Sequence, residues 1–142
     1  MPVIRTAAFI LAALLFGLAL FQLALALGAP WGRAAFGGLT ERPGTKLRVS
    51  AAVATVIWAA AALIVIRRVD LIGWGPLPTS WLPVALWVIA GVLALSIVVN
   101  ALSPSVLEKA IWIPFGAVAT ALAVIVALGP KVLAWVEATQ LS

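Results

Sequence analysis

The sequence predicts an all-α integral membrane protein, a four-transmembrane-helix bundle with short polar connectors. Three observations carry that expectation. Of the 142 residues, 65% are hydrophobic and 9% charged, with a mean hydropathy of +1.26, whereas soluble domains have about 45–50% apolar and about 25% charged residues. The apolar residues gather into four runs, each about twice the 9–11 residues of a transmembrane strand and without a strand's sustained alternation. The charges and most of the Gly and Pro residues lie outside those runs. Within lipid a backbone must satisfy its own hydrogen bonds, so runs of this length are read as helices.

The first run, Ala7 to Leu27, follows Arg5. Its roughly 21 residues reach about 31 Å at 1.5 Å per residue, enough for a hydrocarbon core of about 30 Å. Arg5, the apolar stretch and "ALA" at Ala24 to Ala26 superficially fit a cleaved signal peptide. The run exceeds the usual apolar length of about 7–15 residues, so the segment is expected to be retained. The second run, Val49 to Ile66, is closed by Arg48 before it and by Arg67 and Arg68 after it. The third, Trp81 to Val99, follows the connector "GWGPLPTS" and ends at Asn100. The fourth, Ile111 to Leu128, is expected to stop at Gly129 and Pro130, a terminating glycine followed by a residue without a donor. With their end turns, the helices are expected over about 5–27, 49–67, 81–100 and 105–128, in one domain with a tail over 129–142.

The missing residue types exclude much chemistry. With no Cys and no His, there is no thiol redox chemistry, no disulfide, no thiolate or imidazole metal ligand and no histidine base. No cofactor and no metal are expected. The four acids, Glu41, Asp70, Glu108 and Glu137, all lie outside the apolar runs, and the net charge of +5 is ordinary for loops facing anionic headgroups, so no nucleic-acid partner is expected.

Five of the seven tryptophans, Trp31, Trp74, Trp81, Trp112 and Trp135, fall near helix ends, as an anchoring belt would. Trp58 and Trp87 lie within runs and read first as packing residues. Gln22 is the most deeply placed amide and reads first as a partner for another helix; Thr55, Ser96 and Thr120 can bond their own helix carbonyls. The pairs Ala13/Gly17, Ala90/Ala94, Gly116/Thr120 and Ala117/Ala121 have the small-xxx-small spacing that lets helices approach closely.

Four spans put both termini on one side, with Arg5, Arg67, Arg68 and Lys131 there and Arg33, Arg42, Lys46, Arg48 and Lys109 opposite. This near tie leans weakly to cytoplasmic termini, and it also suits dual insertion as an antiparallel dimer.

The stretch "NALSPSVLEKAIWIPF", Asn100 to Phe115, gathers an unusual set of polar residues. Ser105 with Glu108 forms a capping-box pattern; alternatively Ser103 caps a helix with Pro104 at its first position. Either start places Pro114 inside the helix, where it removes a hydrogen bond and favours a bend. Asn100 can end the third helix, or bridge to Arg48 or Ser50. This stretch emerges on the same side as the long first connector, Gly28 to Ser50. The expected site is therefore a polar mouth formed by Trp31, Arg33, Arg48, Ser50, Asn100, Ser103, Glu108 and Trp112, with Arg48 and Glu108 as an ion pair, because charges at the hydrocarbon edge are disfavoured unless paired or hydrated.

"GAPWG" at Gly28 to Gly32, the Gly37–Gly38 pair, "LRVS" at Leu47 to Ser50 and the spacing "N..S.S..E...W.P" from Asn100 to Pro114 resemble a recurring pattern in small bacterial four-helix membrane proteins. The resemblance covers nearly the whole chain and implies architecture and a bacterial inner membrane, with no chemistry attached. Small multidrug exporters require an embedded acid in the first helix, small fluoride channels a Thr- and Phe-rich broken third helix, and quinone-linked thiol enzymes cysteines; none of these is present. The leading expectation is a non-enzymatic protein binding a lipid-like molecule or a membrane partner at the mouth. A small dimeric transporter or channel is the alternative, and a membrane enzyme of lipid or isoprenoid metabolism comes third. Expected partners are membrane lipid, such a ligand, and a second copy of the chain or a larger membrane complex.

Overall fold

The computed structural model describes the backbone of residues 2–140 and, within it, the side chains outside 2, 130–138 and 140. Four long helices account for most of it: α1 (Pro2–Ala26), α2 (Thr45–Arg68), α3 (Leu82–Ala101) and α4 (Val106–Gln140). Short 3-10 turns occupy Gly32–Ala34, Phe36–Gly38 and Thr79–Trp81. Each long helix contains a segment long and apolar enough to cross a membrane, from Val3–Ala26 at mean hydropathy 2.5 to Val106–Gly129 at 2.3. The fold is a four-helix membrane bundle.

Two helix boundaries differ from expectation in ways that matter. α2 begins at Thr45 with Gly44 as its N-cap, so Arg48 lies in the first turns of a helix rather than in a connector. α4 does not stop at Gly129 and Pro130 but runs on to Gln140, and it is continuous through Pro114. A proline inside a helix removes one hydrogen bond and strains the preceding turn, whereas ending a helix in an apolar surrounding leaves several backbone groups unsatisfied. Met1, Ser142 and the side chains of Lys131, Trp135 and Glu137 lie outside the described residues, and with them the expected placement of both termini on one side.

α1 is the central helix. It buries Ala8, Leu11, Leu15, Leu18 and Ala19 on one stripe, the three-four spacing of a single helical face. It packs against α2 and α4, and α3 packs against α4, while α2 and α3 barely touch. Small residues set these approaches, since close van der Waals contact rather than escape from water drives helices together in lipid. Ala119 and Ala123 are fully buried, and a Cβ on Gly116 would come within 2.8 Å of Ile97 Cγ1. Of the small-residue pairs, Gly116/Thr120 therefore serves the α3–α4 contact, and Ala90 is buried while Ala94 is exposed. Ala13, Gly17, Ala117 and Ala121 are exposed instead, because the burying face of each helix lies elsewhere.

Burial within α2 and α3 is lopsided, and this positions the site. Between Ala51 and Ala61 no residue of α2 is buried, and beyond Leu93 none of α3 is. The two helices thus close against the core at the end carrying Val65 and Leu82 and leave a gap at the other. At the closed end the Arg67 guanidinium donates to the carbonyls of Leu77 and Gly75 and to Thr79 Oγ1, strapping the second connector to the helix it leaves.

Candidate functional site

The open end is covered by the first connector, which folds inward over the start of α4. Phe36, Gly37 and Gly38 all have positive φ, at 54°, 75° and 70°. Two glycines take that conformation without steric cost, but Phe36 carries a strain of about 1–3 kcal/mol. The turn is held by contacts to the distant helix. Gly37 N–H donates to Glu108 Oε1 at 3.0 Å, the Ser103 hydroxyl donates to Glu108 Oε2, and the Ser105 hydroxyl donates to the Arg33 carbonyl at 2.8 Å. A Cβ on Gly38 would lie 2.7 Å from Ser105 Cβ, so the connector fits here only with glycine.

The start of α4 combines both capping patterns read from the sequence. Ser105 Oγ accepts from the Glu108 N–H at 3.2 Å, and Ser103 Oγ accepts from the Ser105 N–H at 3.1 Å. The return arm of the capping box is missing, because the Glu108 carboxyl goes to Gly37 and Ser103 instead of back to Ser105. Glu108 is consequently 5% exposed.

Trp112, one turn further along α4, does not belong to an anchoring belt. Its Nε1–H donates to the Ala34 carbonyl at 2.6 Å, and its ring meets Phe21 edge-on at 4.9 Å and Phe115 at 5.4 Å. Trp31, Trp74 and Trp81 are exposed, as belt residues are, and so is Trp87. Trp31 also stacks on Phe21 at 6.0 Å.

Beneath the connector lies a partly open cavity of about 440 Å³ lined by all four helices, residues 34–37 of the first connector and residues 102–104. Its polar groups are Gln22, Ser96, Asn100, Ser103 and Glu108; its apolar wall includes Phe21, Trp58, Leu93 and Phe115. Ser96 bonds the Leu93 carbonyl and the Asn100 amide donates to the Ser96 carbonyl at 2.7 Å. Asn100 thus stays helical and neither terminates α3 nor bridges to α2. Gln22 finds no helix partner: its Oε1 is buried without a hydrogen bond, and so is Thr120 Oγ1, unlike Thr55, which bonds the Ala51 carbonyl.

The expected ion pair does not form. Arg48 is exposed, and its Nε donates to the Ala26 carbonyl at 2.8 Å, closing the C-terminus of α1 where free carbonyls attract a cation. Starting α2 at Thr45 fixes Arg48 beside α1 rather than beside α4. Ser50 is exposed on α2, and the Arg33 side chain is exposed above the site while its carbonyl joins the network. Asn100, Ser103, Glu108 and Trp112 therefore line the cavity, whereas Trp31, Arg33, Arg48 and Ser50 do not. Sequence reading missed Phe36 and the wall formed by Phe21, Leu93 and Phe115. The Gly37–Gly38 doublet hints at the left-handed turn, and the Trp58 indole in an Ala-rich helix hints at a space to fill.

In comparisons with protein-family models, with curated proteins and with solved structures, the chain has no match.

Proposed function

We propose that the protein is a non-enzymatic, multi-pass protein of the bacterial inner membrane that binds one amphipathic, lipid-like molecule in the cavity beneath the first connector. The observation that carries this reading is a 440 Å³ space, mostly apolar, with Gln22, Asn100 and Glu108 as its convergent polar groups. That size and lining are those of small-molecule sites, which are about 300–1,000 Å³ and use few polar groups to fix orientation. The gap between α2 and α3, bordered by Trp58 and the exposed Val99, supports entry of a hydrocarbon tail from the side. The buried Gln22 Oε1, which lacks a protein partner, supports a ligand head that donates a hydrogen bond, since an unpaired buried acceptor is costly.

Arg48 has no part in this reading, because it points away from the cavity to α1. The test uses the purified protein in digitonin, whose rigid tail differs from a flexible chain. Native mass spectrometry should find one C12 amphiphile, either dodecanol or dodecylammonium, retained per chain. Ser96→Phe, which fills the cavity from α3, should abolish that retention while leaving the helical circular dichroism unchanged. A folded wild-type protein that retains neither probe would overturn the proposal.

A further inference from the structure

Building on the amphiphile-binding reading, we infer that the ligand's head carries a positive charge: the cavity is a site for a lipophilic ammonium or comparable organic cation. The decisive feature is the sign of what lines the space. Glu108 is the ionisable side chain among the lining residues, and no described Lys or Arg joins it. Its two oxygens accept from neutral donors, Gly37 N–H and the Ser103 hydroxyl. No described cation lies within ion-pair distance, since Arg48 is committed to the Ala26 carbonyl. The N-terminus of α4 supplies only about half a unit of positive charge. A carboxylate can accept about four hydrogen bonds, so room remains for a donor from a ligand.

The aromatic lining adds an independent argument. Phe21, Phe36, Trp58, Trp112 and Phe115 all line the same space, and aromatic rings attract cations through the negative quadrupole of their faces, Trp most strongly. A carboxylate and several aromatic rings around one space form the kind of lining that recognises ammonium groups. The same lining disfavours anionic heads, because among the described residues no basic group lines the space to pair with a phosphate or sulfate. A neutral alcohol would satisfy Gln22 and Glu108 through hydrogen bonds but would gain less from the uncompensated charge than a cation and nothing from the aromatic quadrupoles.

Three C12 probes separate these cases in the same digitonin preparation: dodecylammonium, dodecanol and dodecyl sulfate, each titrated and read by native mass spectrometry. Half-maximal retention of the ammonium should need at least about ten-fold less probe than dodecanol, and dodecyl sulfate should not be retained. Glu108→Gln keeps the acceptor for Gly37 and should bring the ammonium down to the level of dodecanol, with dodecanol itself weakened far less. Should that variant fail to fold, Trp58→Leu decides. It lies on α2 outside the Glu108 network and should weaken ammonium retention several-fold while sparing dodecanol. Equal retention of ammonium and alcohol by the wild type, or an ammonium preference that survives both substitutions, overturns the charge assignment and leaves the amphiphile site standing. Loss of all three probes instead overturns the site itself. Competition with dioctanoylphosphatidylethanolamine then identifies the source of the cation: displacement points to a membrane-lipid headgroup, and no displacement to a free amphiphilic cation.

Discussion

The two ends of the bundle are built by opposite rules. At the closed end, Arg67 bonds Gly75, Leu77 and Thr79, partners 8 to 12 residues away. One helix terminus and its own connector make a self-contained turn there. At the cavity end, the first connector is fastened to α4 by bonds that join residues 71, 72 and 78 positions apart. The same number of polar contacts therefore does different work. The local strap orders a loop whatever the rest of the chain does, whereas the distant contacts exist only when α1 and α4 are already packed side by side. Buried charge and empty space gather at the second kind of end, where several elements must agree before any one is satisfied.

Breaking the comparison at its strongest point, Glu108→Ala should destabilise the protein by about 2–4 kcal/mol, because it orphans the buried Gly37 N–H and removes the partner of Ser103. Arg67→Ala at the other end should cost about 1 kcal/mol or less, since its carbonyl partners can turn to water or headgroups. Reversible unfolding in mixed micelles of rising dodecyl sulfate content, followed by circular dichroism, measures both. Equal losses at the two ends would show that long-range partners confer nothing extra.

A second contrast sets glycine against glycine. Gly38→Ala should cost about 2 kcal/mol, because its φ is +70° and the new Cβ would press on Ser105. Gly73→Ala in the second connector meets nothing within 4 Å and should stay within about 0.5 kcal/mol of wild type. Smaller still, Trp112→Phe keeps the ring contacts with Phe21 and Phe115 but loses the bond to Ala34, and should cost about 1 kcal/mol in the same assay.

The smallest expected effect sharpens the comparison within the cavity end itself. Arg48→Gln should cost about 0.5 kcal/mol, the value of a cation at an exposed helix C-terminus. Combined with Glu108→Gln, the two losses should add to within about 0.5 kcal/mol, as for groups that share no partner. A clear departure from additivity would mean that Arg48 reaches Glu108 after all.

How much of this is legible in the chain depends on how far apart the cause and its partner lie. The four spans are legible because hydropathy over a run of about twenty residues needs no knowledge of neighbours. The α4 start at Ser105 is legible as well, since a cap is satisfied within one turn. The α4 end is not legible, because at Gly129 and Pro130 a local stop signal yields to a helix that continues to Gln140. The α2 start at Thr45 was likewise displaced, and with it the role of Arg48.

Sequence alone determined the class, the count of helices, and that Asn100, Ser103, Glu108 and Trp112 form an unusual polar group beside the first connector. Tertiary structure alone decided that Glu108 is buried against Gly37 and Ser103, that Trp112 turns inward to Ala34, that Arg48 serves α1, and that a cavity opens where α2 and α3 diverge. The reason is physical. Hydropathy and capping are settled over a helix length or less, while the partner of a side chain at a helix end depends on which helices pack together. In lipid that choice rests on a few close approaches of small residues, such as Gly116 against Ile97. An Ala-rich sequence offers many such approaches, and only the assembled bundle shows which of them are used.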